Sequence, residues 1–200
     1  VAPSTTTTVS TPITGSGDVV VSGGGTLSLT AVNTYTGPTA VDSGSTLAMS
    51  GAGSITPSSA LNNSGTVNVQ GVSGNVSLGG AFTQASTGNT LMNISPANNQ
   101  QIQVAGAASL AGGLSVAASA GSYTAGRYTL ITSAGVTGRF GSFSSDLSSY
   151  TRLAYALGYD ANNVYLYLTP NVADTQQSLV NTASALQSTF TLQNSVLANS

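Results

Sequence analysis

Two hundred residues with 40% hydrophobic content are enough to bury a core, yet only 4% are charged and the formal net charge is −2. The chain has no Cys, His, Lys or Glu, which removes disulfides, thiolate and imidazole metal sites, and every nucleophile paired with His or Lys. Three arginines without lysine are too few for binding nucleic acid through phosphate neutralisation.

Disordered chains combine low hydrophobicity with high net charge, the reverse of this composition. Val, Leu and Ala dispersed among Thr, Ser, Asn and Gly suit many short strands separated by turns, so the expected class is all-β. An unfolded chain crossing an oxidising compartment gains from having no thiols to cross-link, so the lack of Cys is compatible with secretion. No basic and apolar leader opens the chain, and no apolar run reaches the ~20 residues of a membrane helix. The segment is therefore expected to be internal or already processed.

Residues 1–16 are rich in Thr and Pro with little alternation and are expected to be an extended linker. From Gly17 a repeat emerges. Gly25-Thr26-Leu27-Ser28-Leu29, Ser45-Thr46-Leu47-Ala48-Met49 and Gly65-Thr66-Val67-Asn68-Val69 are versions of one pentapeptide, recurring at a constant interval. Looser copies follow at Asn89-Thr90-Leu91-Met92-Asn93-Ile94 and Gly113-Leu114-Ser115-Val116. In each, apolar and small polar residues alternate with the period of a half-buried strand, and Gly, Asn, Ser and Pro clusters turn the chain between them.

Such an interval, with short strands, predicts a right-handed parallel β-helix of about 20–24 residues per coil, with about five coils over residues 17–120. Leu27, Leu47 and Val67 then stack on one another at about 4.8 Å. The alternative is a β-sandwich of regularly spaced hairpins, but the two-residue Asn-Gly or Asp-Gly turns that favour it are missing.

Residues 121–170 change character, holding all three arginines and seven of the eight tyrosines. Strands are expected at Tyr128–Ile131 and after Val136-Thr137-Gly138-Arg139-Phe140, with a hairpin of Leu153–Tyr159 and Val164–Leu168 about Asp160-Ala161-Asn162-Asn163. A solenoid needs a cap on its open edges. The expected capping residues are Tyr128, Leu130, Gly138, Phe140, Phe143, Tyr159, Tyr165 and Tyr167. The arginines are expected to cap carbonyls or to pair with Asp146 and Asp160.

After Pro170 the period becomes helical. Asp174-Thr175-Gln176-Gln177 reads as a capping box, and Leu179, Ala183, Leu186, Phe190 and Leu197 form one stripe of a helix about 37 Å long. Its other faces carry Gln, Asn, Ser and Thr, which suit the inside of a water-filled pore or a helix packed along the solenoid.

Leu29 to Leu47, LTAVNTYTGPTAVDSGSTL, resembles the autotransporter-associated β-strand repeat: Asn-x-Tyr-x-Gly, then Thr-x-Val and Gly-x-x-Leu. Gly126 to Phe140 with Asn162 to Leu168 resembles the C-terminal passenger end of monomeric (type Va) autotransporters of Gram-negative bacteria, and the helix over 171–200 resembles their linker. The resemblance implies a passenger exported through the periplasm to the cell surface or outer membrane, or secreted. It also implies a C-terminal autochaperone segment, and two partners: the chain's own outer-membrane β-barrel and the barrel-assembly machinery. A paired-Asn cleavage motif of the kind some members carry is missing from the helix.

No residues suggest catalysis, a metal or a cofactor. Asp18 and Asp42 are offset by four residues relative to the repeat, about 13 Å along a strand, and read as turn residues. The glycines at Gly15, Gly17 and Gly23 to Gly25 lack the strand-then-helix context of a phosphate loop. Gly17-Asp18 is one unrepeated fragment of a calcium nonapeptide, and the Asn-x-Ser triplets at Asn62, Asn75 and Asn93 matter only in a glycosylating route. The expected function is a monomeric, non-enzymatic stem and folding template. The alternative is a β-helical adhesin that binds glycans, host matrix or other bacterial cells.

Overall fold

The computed structural model describes residues 1–96, 100–149 and 153–170. They form a parallel β-solenoid of about five turns with the right-handed sense of parallel crossovers. Each coil visits three faces in order. The first stacks seven strands: Thr6–Val9, Thr26–Leu29, Thr46–Gly51, Thr66–Val72, Asn89–Ile94, Gly113–Ala118 and Ser142–Ser145. The second stacks six, from Val19–Val21 to Gly135–Gly138.

The third face begins as single bridges, Val32 with Ser54 and Ile55 with Leu78. It widens into strands at Val76–Leu78, Ile102–Val104 and Gly126–Thr132. The widening follows coil length. On the first face the register partners Thr6, Thr26, Thr46 and Thr66 succeed one another at a constant interval. The next steps, from Thr66 to Asn89, then to Gly113, then to Ser142, each span more of the chain than the one before.

Alternate side chains of all three faces meet in one core. Leu27, Leu47 and Val67 are register partners in successive coils. Thr90, Leu114 and Phe143 continue the column. On the second face Leu61 pairs with Phe82, and Phe82 with Ala108. Leu47, Phe82 and Ala108 are at most 1% exposed. Leu27 is only half-buried, because just one coil, ending the column at Thr7, lies beyond it.

The pentapeptide as spelled would set Thr90 beside Thr66, but Asn89 takes that place and Thr90 points inward. The Thr90 hydroxyl is satisfied by the Gln84 Oε1 acceptor.

Corners of the triangle leave backbone groups that no sheet pairs, and buried polar side chains take them. Asn33 accepts from the Ile13 N–H at 2.9 Å and donates to the Ala31 and Ser54 carbonyls at 3.0 Å. Gln84 donates to the Ala111 and Gly113 carbonyls at 2.8 Å. Gln100 donates to the carbonyls of Val69 at 3.0 Å and Val72 at 2.9 Å. Tyr35, Thr39 and Ser58 form a buried hydroxyl chain, 2.6 and 2.9 Å, which ends with Ser58 donating to the Gly37 carbonyl. Gly37 is required by proximity, since a Cβ there would overlap the Gly17 carbonyl group.

Two boundaries differ from the sequence expectation. Residues 1–16 are not a free linker: Thr6–Val9 pairs in parallel with Thr26–Leu29, making this stretch part of the first coil. The solenoid also continues past residue 120, because Gly126–Thr132, Gly135–Gly138 and Ser142–Ser145 each extend one face. The helix expected over 171–200, with the stripe Leu179, Ala183, Leu186, Phe190 and Leu197, lies outside the described residues.

Candidate functional site

Most of the aromatic side chains, with Arg127, Arg139, Asp146 and Asp160, gather at the C-terminal end of the solenoid. There the chain reverses: Leu153–Tyr159 and Asn163–Pro170 form an antiparallel hairpin, and its second strand pairs antiparallel with Gly126–Thr132. The reversal puts two further strands on the third face only. Beneath them Leu130, Ile131, Val164 and Leu166 are fully buried, as is Leu147 of the short 3-10 turn Leu147–Ser149.

Through its tyrosines the hairpin reaches the first face and the corner that follows the second. Tyr155 meets Phe143 edge-on, with centroids 5.9 Å apart and planes at 84°, and its hydroxyl donates to the Ser145 carbonyl at 3.3 Å. Both partners belong to the last strand of the first face. The Tyr159 hydroxyl accepts from the Phe140 N–H at 3.2 Å, and the Arg139 guanidinium lies 4.8 Å above its ring. Burial is the main reason the Tyr159 hydroxyl is harder to ionise than usual.

The turn is bound to the corner between the third and second faces. Asn162 donates from Nδ2 to the Ser133 and Ala134 carbonyls at 3.2 and 2.9 Å, and the Val136 N–H donates to the Ala161 carbonyl at 2.7 Å. Asp160 organises this turn. Its carboxylate accepts from the Tyr165 hydroxyl at 2.6 Å and from the Asn162 and Asn163 N–H groups at 2.8 Å. Those donors, Tyr165 foremost, hold its pKa at about 2. A carboxylate so engaged is a turn anchor with no affinity left for a proton near neutrality.

Arg127 and Arg139 lie over tyrosine rings instead of taking the roles expected of them. Arg127 stacks 4.4 Å over the Tyr165 ring, and Arg139 over Tyr159. Asp146 accepts from the Ala118 N–H at 2.6 Å, while Asp160 serves its turn. A planar guanidinium loses less hydration on an aromatic face than an ammonium would, which suits it to the buried Tyr165 and half-buried Tyr159 rings. Arg152 lies outside the described residues.

The expected capping residues take four kinds of position. Leu130 belongs to the core; Tyr128, Phe140, Phe143 and Tyr159 are half-buried around it. Tyr165 and Tyr167 lie on the outer side, 6.0 Å apart, and Tyr167 is 39% exposed. Tyr167 covers Gly158, where a Cβ would run into its ring. Gly138 is an exposed corner residue with φ of 70°, close over the Leu110 carbonyl. Not anticipated were Tyr155, whose alternation with Leu153 and Leu157 marks it as inward, and the buried Tyr123, which donates to the Ser119 carbonyl at 2.9 Å.

Among the described residues no acidic side chains cluster to hold a metal ion, and no helix is long and apolar enough to cross a membrane. No protein-family model matches the chain, and neither does any curated protein.

Proposed function

We propose that this chain is the membrane-proximal stem and folding template of an autotransporter passenger, displayed at the bacterial surface ahead of an outer-membrane β-barrel. The observation that carries the reading is the hairpin, joined at the C-terminal end to the third face by strand pairing, to the first by Tyr155 and to the second by the Val136 N–H bond to the Ala161 carbonyl. Its strand pairings lie within residues 126–170, so that end can form before any upstream coil exists. Each later coil then closes only a short loop, the length of one coil, against a ready edge. Loop closure of that size is cheap, whereas pairing a solenoid from an unstructured chain is slow. The contacts of Asn33, Tyr35, Gly37 and Thr39 support the same reading, because each of these four residues of the resembling repeat has a structural task.

The test places a reporter ahead of Val1 and an outer-membrane barrel after Ser200 in a Gram-negative host. Deleting residues 123–170 is expected to abolish protease-resistant reporter at the surface, while substitutions of outward residues on the coils leave display and adhesion unchanged. Normal display after the deletion would contradict the proposal. Loss of adhesion from outward substitutions alone would favour the adhesin reading.

A further inference from the structure

The seven-residue strand Leu153–Tyr159 ends the third face, and among the described residues no strand pairs with its outer edge. The strands that end the faces elsewhere, Thr6–Val9, Val19–Val21, Val76–Leu78, Gly135–Gly138 and Ser142–Ser145, have three or four residues each. Sheets blunt an open edge by keeping it short, or with charge, Pro or a bulge. Leu153–Tyr159 has none of these.

Two observations point to a further strand as what this edge lacks. The Asp160 N–H donates to the Asn163 carbonyl at 3.0 Å, which sets the antiparallel alternation. The backbone groups of Ala154, Ala156 and Gly158 therefore face Asn163–Pro170, and those of Tyr155 and Leu157 face away along the sheet. The second observation is burial. Asn163–Pro170 has a neighbour on each side, and its inward residues Val164, Leu166 and Leu168 are at most 2% exposed. Their register partners Tyr159, Leu157 and Tyr155 are only half-buried.

The order of side chains points to the occupant. Leu-Ala-Tyr-Ala-Leu-Gly-Tyr alternates large and small in the same pattern from either end, with Ala156 at its centre and no charge along it. A two-fold axis at Ala156 sets Tyr155 against Leu157 of a second copy on the core side, and Ala154 against Gly158 on the outer side. It also sets the outward backbone groups of Tyr155 opposite those of Leu157, as a bonded antiparallel pair requires.

We infer that two copies of this chain join tail to tail through Leu153–Tyr159, their third faces continuing as one sheet across a two-fold axis at Ala156. The chain is then a dimer, where the sequence reading expects a monomer, and the inference does not depend on the stem reading above.

The test is the mass of the full chain by light scattering on a sizing column, across a concentration series. The wild type is expected at twice 19.6 kDa. Ala156 is exposed, so Ala156→Lys and Ala156→Glu each set like charges face to face at the axis without disturbing the core. Each variant alone is expected at the monomer mass, and an equal mixture of the two at the dimer mass. Val20→Lys on the second face is expected to stay dimeric, and circular dichroism checks that each variant is folded. Should the charged variants fail to fold, Ala156→Cys is expected to form a disulfide-linked dimer in air, and Val20→Cys is not. A monomeric wild type, a dimer that persists in folded Ala156→Lys, or a mixture that stays monomeric would overturn the inference. So would a monomer from folded Val20→Lys, or Ala156→Cys cross-linking no more than Val20→Cys.

Discussion

Asp160 and Gln84 show how single polar residues hold a molecule with almost no charge. Asp160 has a folded pKa of about 2 against an ordinary 3.8. The sign follows directly: a depressed carboxyl pKa stabilises the fold fully above the unfolded value and loses that contribution as pH falls through the folded one. The melting temperature of the wild type is therefore expected to decline between about pH 4 and pH 2, and Asp160→Asn to lower it at neutral pH and flatten that decline, as followed by circular dichroism. Gln84 is not legible as a core residue, because an amide between Thr and Ala reads as a turn. Gln84→Leu strands the Ala111 and Gly113 carbonyls, at about 1–3 kcal/mol for each group left unpaired, measurable by denaturant unfolding. Leu47→Ala, in the middle of its column, is expected to cost about 2–5 kcal/mol.

At the scale of the element, the strands with alternating Leu, Val and Met can be read from the sequence because their period is local. Thr6–Val9 cannot: Thr-Thr-Thr-Val has no alternation, and its pairing with Thr26–Leu29 is a decision of the fold. The third face is equally hidden, since its early members are single bridges with no run of residues to recognise. Corner glycines are dictated by contact between coils. A Cβ on Gly80 would overlap the Ser59 carbonyl group, while one on Gly126 would meet nothing within 4 Å. Gly80→Ala should therefore cost about 1–3 kcal/mol through overpacking, and Gly126→Ala should stay within about 0.5 kcal/mol of wild type. Equal effects in unfolding titrations would contradict this account of the corners.

Across the whole molecule, the solenoid and its aromatic end are visible in the sequence as a fixed period followed by a cluster of Tyr and Arg. The join between them is not. Gly126–Ser145 carries the cap's residue types yet forms another coil, because its strands pair in parallel with those of the preceding coil. Among the described residues only Leu153–Pro170 reverses direction. The folding account rests on that reversal, which supplies an end made of local antiparallel contacts to a body made of parallel ones. Pulsed hydrogen exchange during refolding tests it most directly. Amides of Gly126–Thr132 and Asn163–Leu168 are expected to gain protection first, with the coils following in order toward Thr26–Leu29. Protection appearing first in Thr26–Val69, or at the same rate throughout, would contradict the claim that the C-terminal end is the template.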